Sequence, residues 1–280
     1  MPQIGLQMYT CRSHMTNDQE LCATLKRVRE IGYKNVQISC PHFLTLPQLA
    51  QRLKDADLRA DSLFCSVNSI LDQLPQIERD AGILNTDVLR TDSIPDKLRS
   101  SADGYRRFAQ MLNRQGEALH KRGLRYIYHF HSFEFVAFDQ TNSADTADAG
   151  IPSEMSRPLR GIDILLEETD PRWVCFQPDV FWLTCAGVET SRFLRRFDRR
   201  AFYLHVKDYA IRQLEGAIES VPFHFAPVGE GNLDWEAILP AAREVGITQF
   251  VVEQDQCEGD VFVAIEKSFR NLRRLLEKWY

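Results

Sequence analysis

Eight times along the chain a short apolar run gives way to a longer stretch whose apolar residues recur every three or four positions. The runs cover 4–9, 35–39, 60–66, 87–90, 126–130, 173–177, 201–206 and 250–253, many of them rich in Val, Ile, Phe and Tyr, which suit a pleated, half-buried surface. The stretches between them fall at 17–31, 46–56, 70–81, 96–122, 161–168, 189–197, 233–245 and 261–279. In the first of these Leu21, Leu25, Val28 and Ile31 share one face, and Gly32 follows as a stop signal. Strand then helix, repeated in order with connections long enough for right-handed crossovers, predicts a closed (β/α)8 barrel rather than two open sheets. An open doubly wound sheet is the alternative, but no G-x-G-x-x-G follows the first run to support dinucleotide binding on it. Barrels of roughly 250 residues are single units, so residues 1–280 are expected to form one domain.

Three segments break the rhythm and predict long loops. Residues 136–158 are polar and weakly periodic, residues 209–232 carry a short hairpin at 220–227, and a shorter segment follows Glu253. In such a barrel the loops after the strands build the active site.

A net charge of −5 argues against a protein that grips phosphate backbones, so nucleic acid is not an expected partner. The chain has neither a basic start leading into a long apolar stretch nor a run of about 18 apolar residues, so neither a secretory signal nor a membrane span is expected. Its seven cysteines are odd in number and scattered without C-x-x-C spacing, which predicts free thiols, mostly core residues, in a reducing, cytoplasmic setting.

Four runs end on, or just before, an acidic or imidazole side chain: Glu134, Asp179, His205 and Glu253. Such a group has to be solvated, paired or bound, because burying it bare costs several kcal/mol. The separations, each one strand–loop–helix unit with or without a long insertion, place all four at the C-terminal ends of the fifth to eighth strands, converging on one site.

Longer patterns surround these residues: Tyr128-His-x-His-x-x-Glu-Phe135, Asp179-x-x-Trp182 with Ala186-Gly187, and His205-x-Lys207-Asp208. Further on come Pro227-Val-Gly-Glu-Gly-x-Leu-Asp-Trp235 and Val252-Glu253-x-Asp255. Together with Ile4-Gly-Leu-Gln-Met-Tyr9 and Gly32-Tyr-Lys-x-Val-Gln37, they resemble the xylose isomerase-like TIM barrels over essentially the full chain. The likeness is to the sugar phosphate isomerase/epimerase group, which includes inosose dehydratase and tagatose 3-epimerase-like enzymes.

The resemblance implies one divalent metal on Glu134, Asp179, His205 and Glu253, Mn²⁺ first, with Mg²⁺, Co²⁺ or Zn²⁺ also suited to oxygen and nitrogen ligands. Relatives with a different fifth strand take the carboxylate from within that strand, where this chain has Tyr128 or His129. The family usually has Asn between the two histidines, where Phe130 stands here, so the substrate is left open. The implied chemistry is isomerisation or epimerisation of a sugar, keto-sugar or inositol by proton abstraction beside a carbonyl, through an enediolate. Loss of a leaving group would make the same site a dehydratase or lyase of a keto-inositol or 3-keto-glycoside. Glu253, with Glu134 or His131 opposite, would supply base and acid, and Lys207 positive charge.

Two further classes are a metal-dependent apurinic endonuclease, disfavoured by the seven histidines and the negative charge, and a sugar-binding barrel without catalysis, disfavoured by the intact ligand set. The group also forms homo-oligomers, and a small carbohydrate is the expected partner.

Each residue has a plainer reading. Of His129 and His131, one is expected in the barrel mouth and the other in the outer layer. Lys207 and Asp208 would serve equally as a surface ion pair. Trp182 would pack under a loop or wall a sugar ring, Glu230 would bind substrate or simply turn the chain, and Asp234 would cap a helix.

Overall fold

The computed structural model describes residues 2–138, 158–211 and 223–280. Its first strand, β1 (Gln3–Gln7), is flanked in parallel by β2 (Asn35–Gln37) and by the last barrel strand, β13 (Gln249–Val252). The sheet continues through β3 (Arg59–Ala60) beyond β2 and through β10 (Tyr203–Val206) beyond β13. A second parallel sheet runs β4 (Leu63–Phe64), β5 (Val88–Asp92), β6 (Arg125–His129) and β9 (Val174–Gln177).

β3 and β4 are two halves of one barrel strand. Asp61 N–H still donates to Val36 O on one side, and Cys65 N–H donates to Arg90 O on the other. Parallel bridges Phe176–Ala201 and Asp179–His205 close the opposite seam. The result is the expected eight-stranded barrel.

Helices α1 (Asp18–Ile31), α2 (Leu46–Asp55), α3 (Leu74–Leu84), α4 (Ala102–His120), α5 (Gly161–Glu168), α6 (Val180–Cys185), α7 (Thr190–Leu194), α8 (Trp235–Glu244) and α9 (Val261–Trp279) follow the strands. Local chemistry sets their ends. Asn17 accepts from Glu20 N–H at the start of α1, Gly32 ends that helix at φ 126°, and Asp234 accepts from Ala237 N–H at the start of α8. The expected helix at 96–122 is divided: a 3-10 turn at Asp96–Leu98 precedes α4, which Ser101 caps. α6 was not anticipated from the sequence.

Two short antiparallel pairs stand outside the barrel. β11 (Asp208–Ile211) pairs with β12 (Phe223–Ala226), so the hairpin expected at 220–227 begins earlier than expected and includes Asp208. Residues 212–222 lie outside the described residues, as do residues 139–157, on either side of which β7 (Ala137–Phe138) and β8 (Leu159–Arg160) pair. All seven cysteines are free; Cys11 is buried and Cys65, Cys175 and Cys257 pack partly buried against the apolar clusters, whereas Cys22, Cys40 and Cys185 are exposed. Among the described residues no helix is long and apolar enough to cross a membrane.

Side chains two residues apart on a strand share a face, and that rule stacks the barrel interior in layers. Val88, Ile127, Tyr203 and Val251 form an apolar cluster with Cys175 packed against it. Two residues further along each of those strands stand Arg90, His129, His205, Glu253 and Gln177. The main hydrophobic core lies between strands and helices, where Tyr128, Phe130, Phe176, Leu204, Phe250 and Val252 are buried. The barrel thus holds its polar groups on a greasy plug, at the end where the strands finish.

Candidate active site

A cavity of about 470 Å³ opens at the C-terminal ends of the strands, lined by His129, His131, Trp182, His205, Lys207, Glu253, Arg90 and Asp255 among others. His129, Asp179 and His205 offer ligand atoms within 4.8 Å of one another, all three residues buried. Opposite ligands of one small ion, each about 2.0–2.3 Å from it, stand roughly 4–4.5 Å apart. The spacing therefore fits a shared cation after small adjustments.

Hydrogen bonding fixes which atom of each residue is free. His205 Nε2 meets Gln37 Oε1 at 2.8 Å, an acceptor, so that nitrogen carries the proton and Nδ1 keeps a lone pair. His129 Nδ1 likewise donates to the Gln177 carbonyl at 3.2 Å, leaving Nε2 as the free nitrogen. Fixing one ring N–H on an oxygen acceptor is how proteins orient metal-ligating imidazoles. Burial pushes both histidines well below the usual range, helped at His129 by His205 and at His205 by Lys207, so both rings are neutral, the form that binds metal.

Asp179 caps α6. Its Oδ1 accepts from Phe181 N–H at 2.9 Å and more weakly from Trp182 N–H, which leaves Oδ2 facing the site. Burial raises its carboxyl to about 7, Lys207 opposing the rise and Glu253 adding to it. Glu253 Oε2 lies 3.3 Å from His205 Nδ1. A free nitrogen lone pair facing a carboxylate oxygen repels unless a cation lies between them or close by.

Lys207 supplies positive charge. Its Nζ stands 2.9 Å from Glu253, 3.1 Å from Asp255 and 3.4 Å from Asp179, with the side chain 3% exposed. Burial alone would push it down; Asp179, Glu253 and Asp255 outweigh that and hold it above the usual lysine range, so it remains an ammonium. The surface ion pair with Asp208 does not form. Strand geometry turns consecutive side chains to opposite faces, and Asp208 instead accepts from the backbone N–H groups of Tyr209, Gly229, Gly231 and Leu233 and from Trp235 Nε1.

The structure brings Asp179, His205 and Glu253 together as expected, and it does not bring Glu134 to them. Glu134 sits on a 3-10 turn (Ser132–Phe135) with no exposed surface. Tyr128 Oη donates to its Oε1 and His131 N–H to its Oε2 at 2.9 Å, so both oxygens are spent inside the loop. This corrects the ligand and acid–base roles expected of Glu134; His129 occupies the fifth-strand position beside Asp179 and His205.

His129 and His131 do not divide between the mouth and the outer layer. Both line the cavity with ring centroids 4.7 Å apart, and Phe130 between them is the outward residue, stacked on Phe197. His131 is held between Phe133, at 5.2 Å, and Trp182, at 5.5 Å, and its Nδ1 has no hydrogen-bond partner. Burial lowers its pKa, with Asp92 opposing. Trp182 walls the cavity beside Lys207. Glu230 lies outside it, exposed and paired with Lys267 at 3.1 Å, which corrects the substrate role expected of it.

Sequence reasoning missed Gln7, Gln37, Gln177 and Arg90. The three amides form a chain beneath the histidines, with Gln37 Oε1 accepting from His205, Gln7 and Gln177. Stepping back two residues along a strand from a known inward residue identifies Gln177 and marks Arg90 from Asp92.

A family model of the xylose isomerase-like TIM barrel matches residues 25–278. No curated protein sequence matches the chain. Among solved structures, the chain resembles a sugar phosphate isomerase/epimerase from Parabacteroides distasonis at 21% identity, with 97% of this chain and 93% of that one covered and a TM-score of 0.73. It resembles an L-ribulose 3-epimerase at 14% identity, covering 99% and 95%, with a TM-score of 0.69. It also resembles the IOLI protein with a bound zinc atom at 14% identity, covering 99% of each chain, with a TM-score of 0.70.

Proposed function

The chain belongs to the xylose isomerase-like TIM barrel family, and on that premise we propose that it is a divalent-metal-dependent isomerase or epimerase of a hydroxy-ketone sugar, keto-sugar or inositol. The observation that carries this reading is the set of donor atoms free of hydrogen bonds, His129 Nε2, His205 Nδ1 and Asp179 Oδ2, joined by Glu253 Oε2 and facing a cavity that also holds His131 and Lys207. The residues that would hold the ion are thus His129, Asp179, His205 and Glu253. Two imidazoles with two carboxylates suit Mn²⁺, Zn²⁺ or Co²⁺ better than Mg²⁺, which favours all-oxygen shells.

A bound cation would polarise the ketone and neighbouring hydroxyl oxygens and so acidify the intervening C–H. The chain's own residues then divide the proton work. His131, neutral and lining the cavity, accepts the proton from one face of the carbon. Lys207 keeps its proton and offers an N–H to the oxygen where charge develops. Trp182 shields the ring face from water. Glu253, committed to Lys207 and to the metal donors, acts as a ligand and less as the base.

Return of the proton to the same carbon gives an epimer, and return to its neighbour gives an isomer. A lyase is the second reading, favoured by the ammonium of Lys207, which would protonate a departing hydroxyl or glycosyl oxygen. The test is to incubate metal-loaded protein in D₂O with ketoses, keto-inositols and 3-keto-glycosides. Deuterium at the α-carbon of one of them supports the proposal, and no exchange with any contradicts it.

A further inference from the structure

The chemistry above makes no use of Arg90. This side chain is 4% exposed and lines the same cavity as the metal donors. A guanidinium carries a full charge, and a buried charge needs partners. Its carboxylate partner is Asp92, but Nη1 reaches Oδ2 only at 3.4 Å, long for a charge-assisted bond, and the Asp92 side chain is 32% exposed. Phe64 lies against the guanidinium, 5.1 Å from ring centroid to Cζ, and Nε has no hydrogen-bond partner. Asp61 senses the charge through space while its own Oδ1 takes the Ser62 hydroxyl at 3.0 Å, and burial raises its carboxyl to about 7. A five-donor fork is therefore little used beside an open cavity.

The charge around the cavity points the same way. Arg12, Arg90 and Lys207 face Asp92, Glu253 and Asp255, with Asp179 behind them. A divalent ion would turn that slight negative balance positive. The Arg90 fork thus has one long carboxylate contact beside the cavity, and an anionic, oxygen-rich ligand would supply the acceptors it lacks.

We propose that Arg90 determines specificity by binding a carboxylate at the end of the substrate remote from its hydroxy-ketone, so that the enzyme acts on a keto-acid sugar. A planar carboxylate matches the guanidinium fork bidentately. This rests on the reading above in that the hydroxy-ketone end lies at the donor cluster.

Three ligands that share one hydroxy-ketone and differ only at the far carbon separate the cases: D-fructuronate, D-fructose and D-fructose 6-phosphate. Calorimetric binding to the metal-loaded protein should favour D-fructuronate over D-fructose by about tenfold or more. Arg90→Gln should bring that ratio near unity, and Arg90→Lys should fall between. Equal affinity of the wild-type protein for the acid and the neutral sugar overturns the proposal even if the variants fail to fold. Preference for the phosphate over the carboxylate overturns it too. Deuterium exchange, read in the same samples, keeps the two readings apart. An Arg90-dependent preference for the acid without exchange supports this inference and contradicts the proposed reaction; exchange without that preference does the reverse.

Discussion

The Nδ1 of His205 stands 3.3 Å from Oε2 of Glu253, and the other ring nitrogen is already committed to Gln37. Two electron-rich atoms are thus held face to face by the ends of neighbouring strands, β10 and β13. Lys207, two residues beyond His205 on the same inward face, partly neutralises the carboxylates around them. The site is built for more positive charge than the lysine provides.

Lys207→Met tests that balance. It leaves three carboxylates without their ammonium, and breaking a buried pair costs about 3 kcal/mol or more. The metal-free variant should therefore melt well below the metal-free wild type. The rise in Tm on adding Mn²⁺ should be larger in the variant, because the ion then neutralises more uncompensated charge. Turnover should fall by about a hundredfold. Calorimetric scans with and without metal, alongside an exchange assay, check all three.

Asp208 is expected to matter for stability more than for metal. It gathers five donors, three from the loop that follows β12 and one each from Tyr209 of β11 and Trp235 of α8, and a Cβ at Gly231 would run into its Oδ1 and the Tyr209 carbonyl. Asp208→Ala should cost about 3 kcal/mol, since the buried Trp235 Nε1–H and several part-buried backbone N–H groups lose their acceptor together. Gly231→Ala should destabilise through the clash. Urea unfolding measures both, and each folded variant should still bind one equivalent of metal.

Glu134 gives a pH signature. Burial raises its carboxyl to about 7, while the Tyr128 hydroxyl and the His131 N–H oppose the rise. A carboxyl with a raised folded pKa binds its proton more tightly in the native state. Its contribution is therefore fully present below the unfolded value of about 4.5 and is lost as pH rises toward 7, an effect of order 3 kcal/mol. Glu134→Gln should flatten that fall in stability between pH 4.5 and 7, measured by urea unfolding across the range.

The barrel was legible because a strand–helix alternation repeated eight times leaves few other ways to bury its apolar faces. Asp179, His205 and Glu253 were legible as polar groups ending apolar runs. Glu134 misled because a carboxylate near a strand end looks the same in sequence whether it faces the mouth or is folded back under a 3-10 turn; only the positions of Tyr128 Oη and His131 N–H decide. His129 and His131 were expected on opposite faces, although side chains two residues apart on a strand share one. Arg90 and Gln37 stayed hidden because each sits singly within an apolar strand, where the pattern alone does not reveal what it meets across the barrel.

The most direct test is metal stoichiometry, by titration and elemental analysis, in the wild type, His129→Gln and Glu134→Gln. The account predicts one equivalent in the wild type and in Glu134→Gln, and substantial loss in His129→Gln while the barrel stays folded. Retention by His129→Gln together with loss in Glu134→Gln would contradict it.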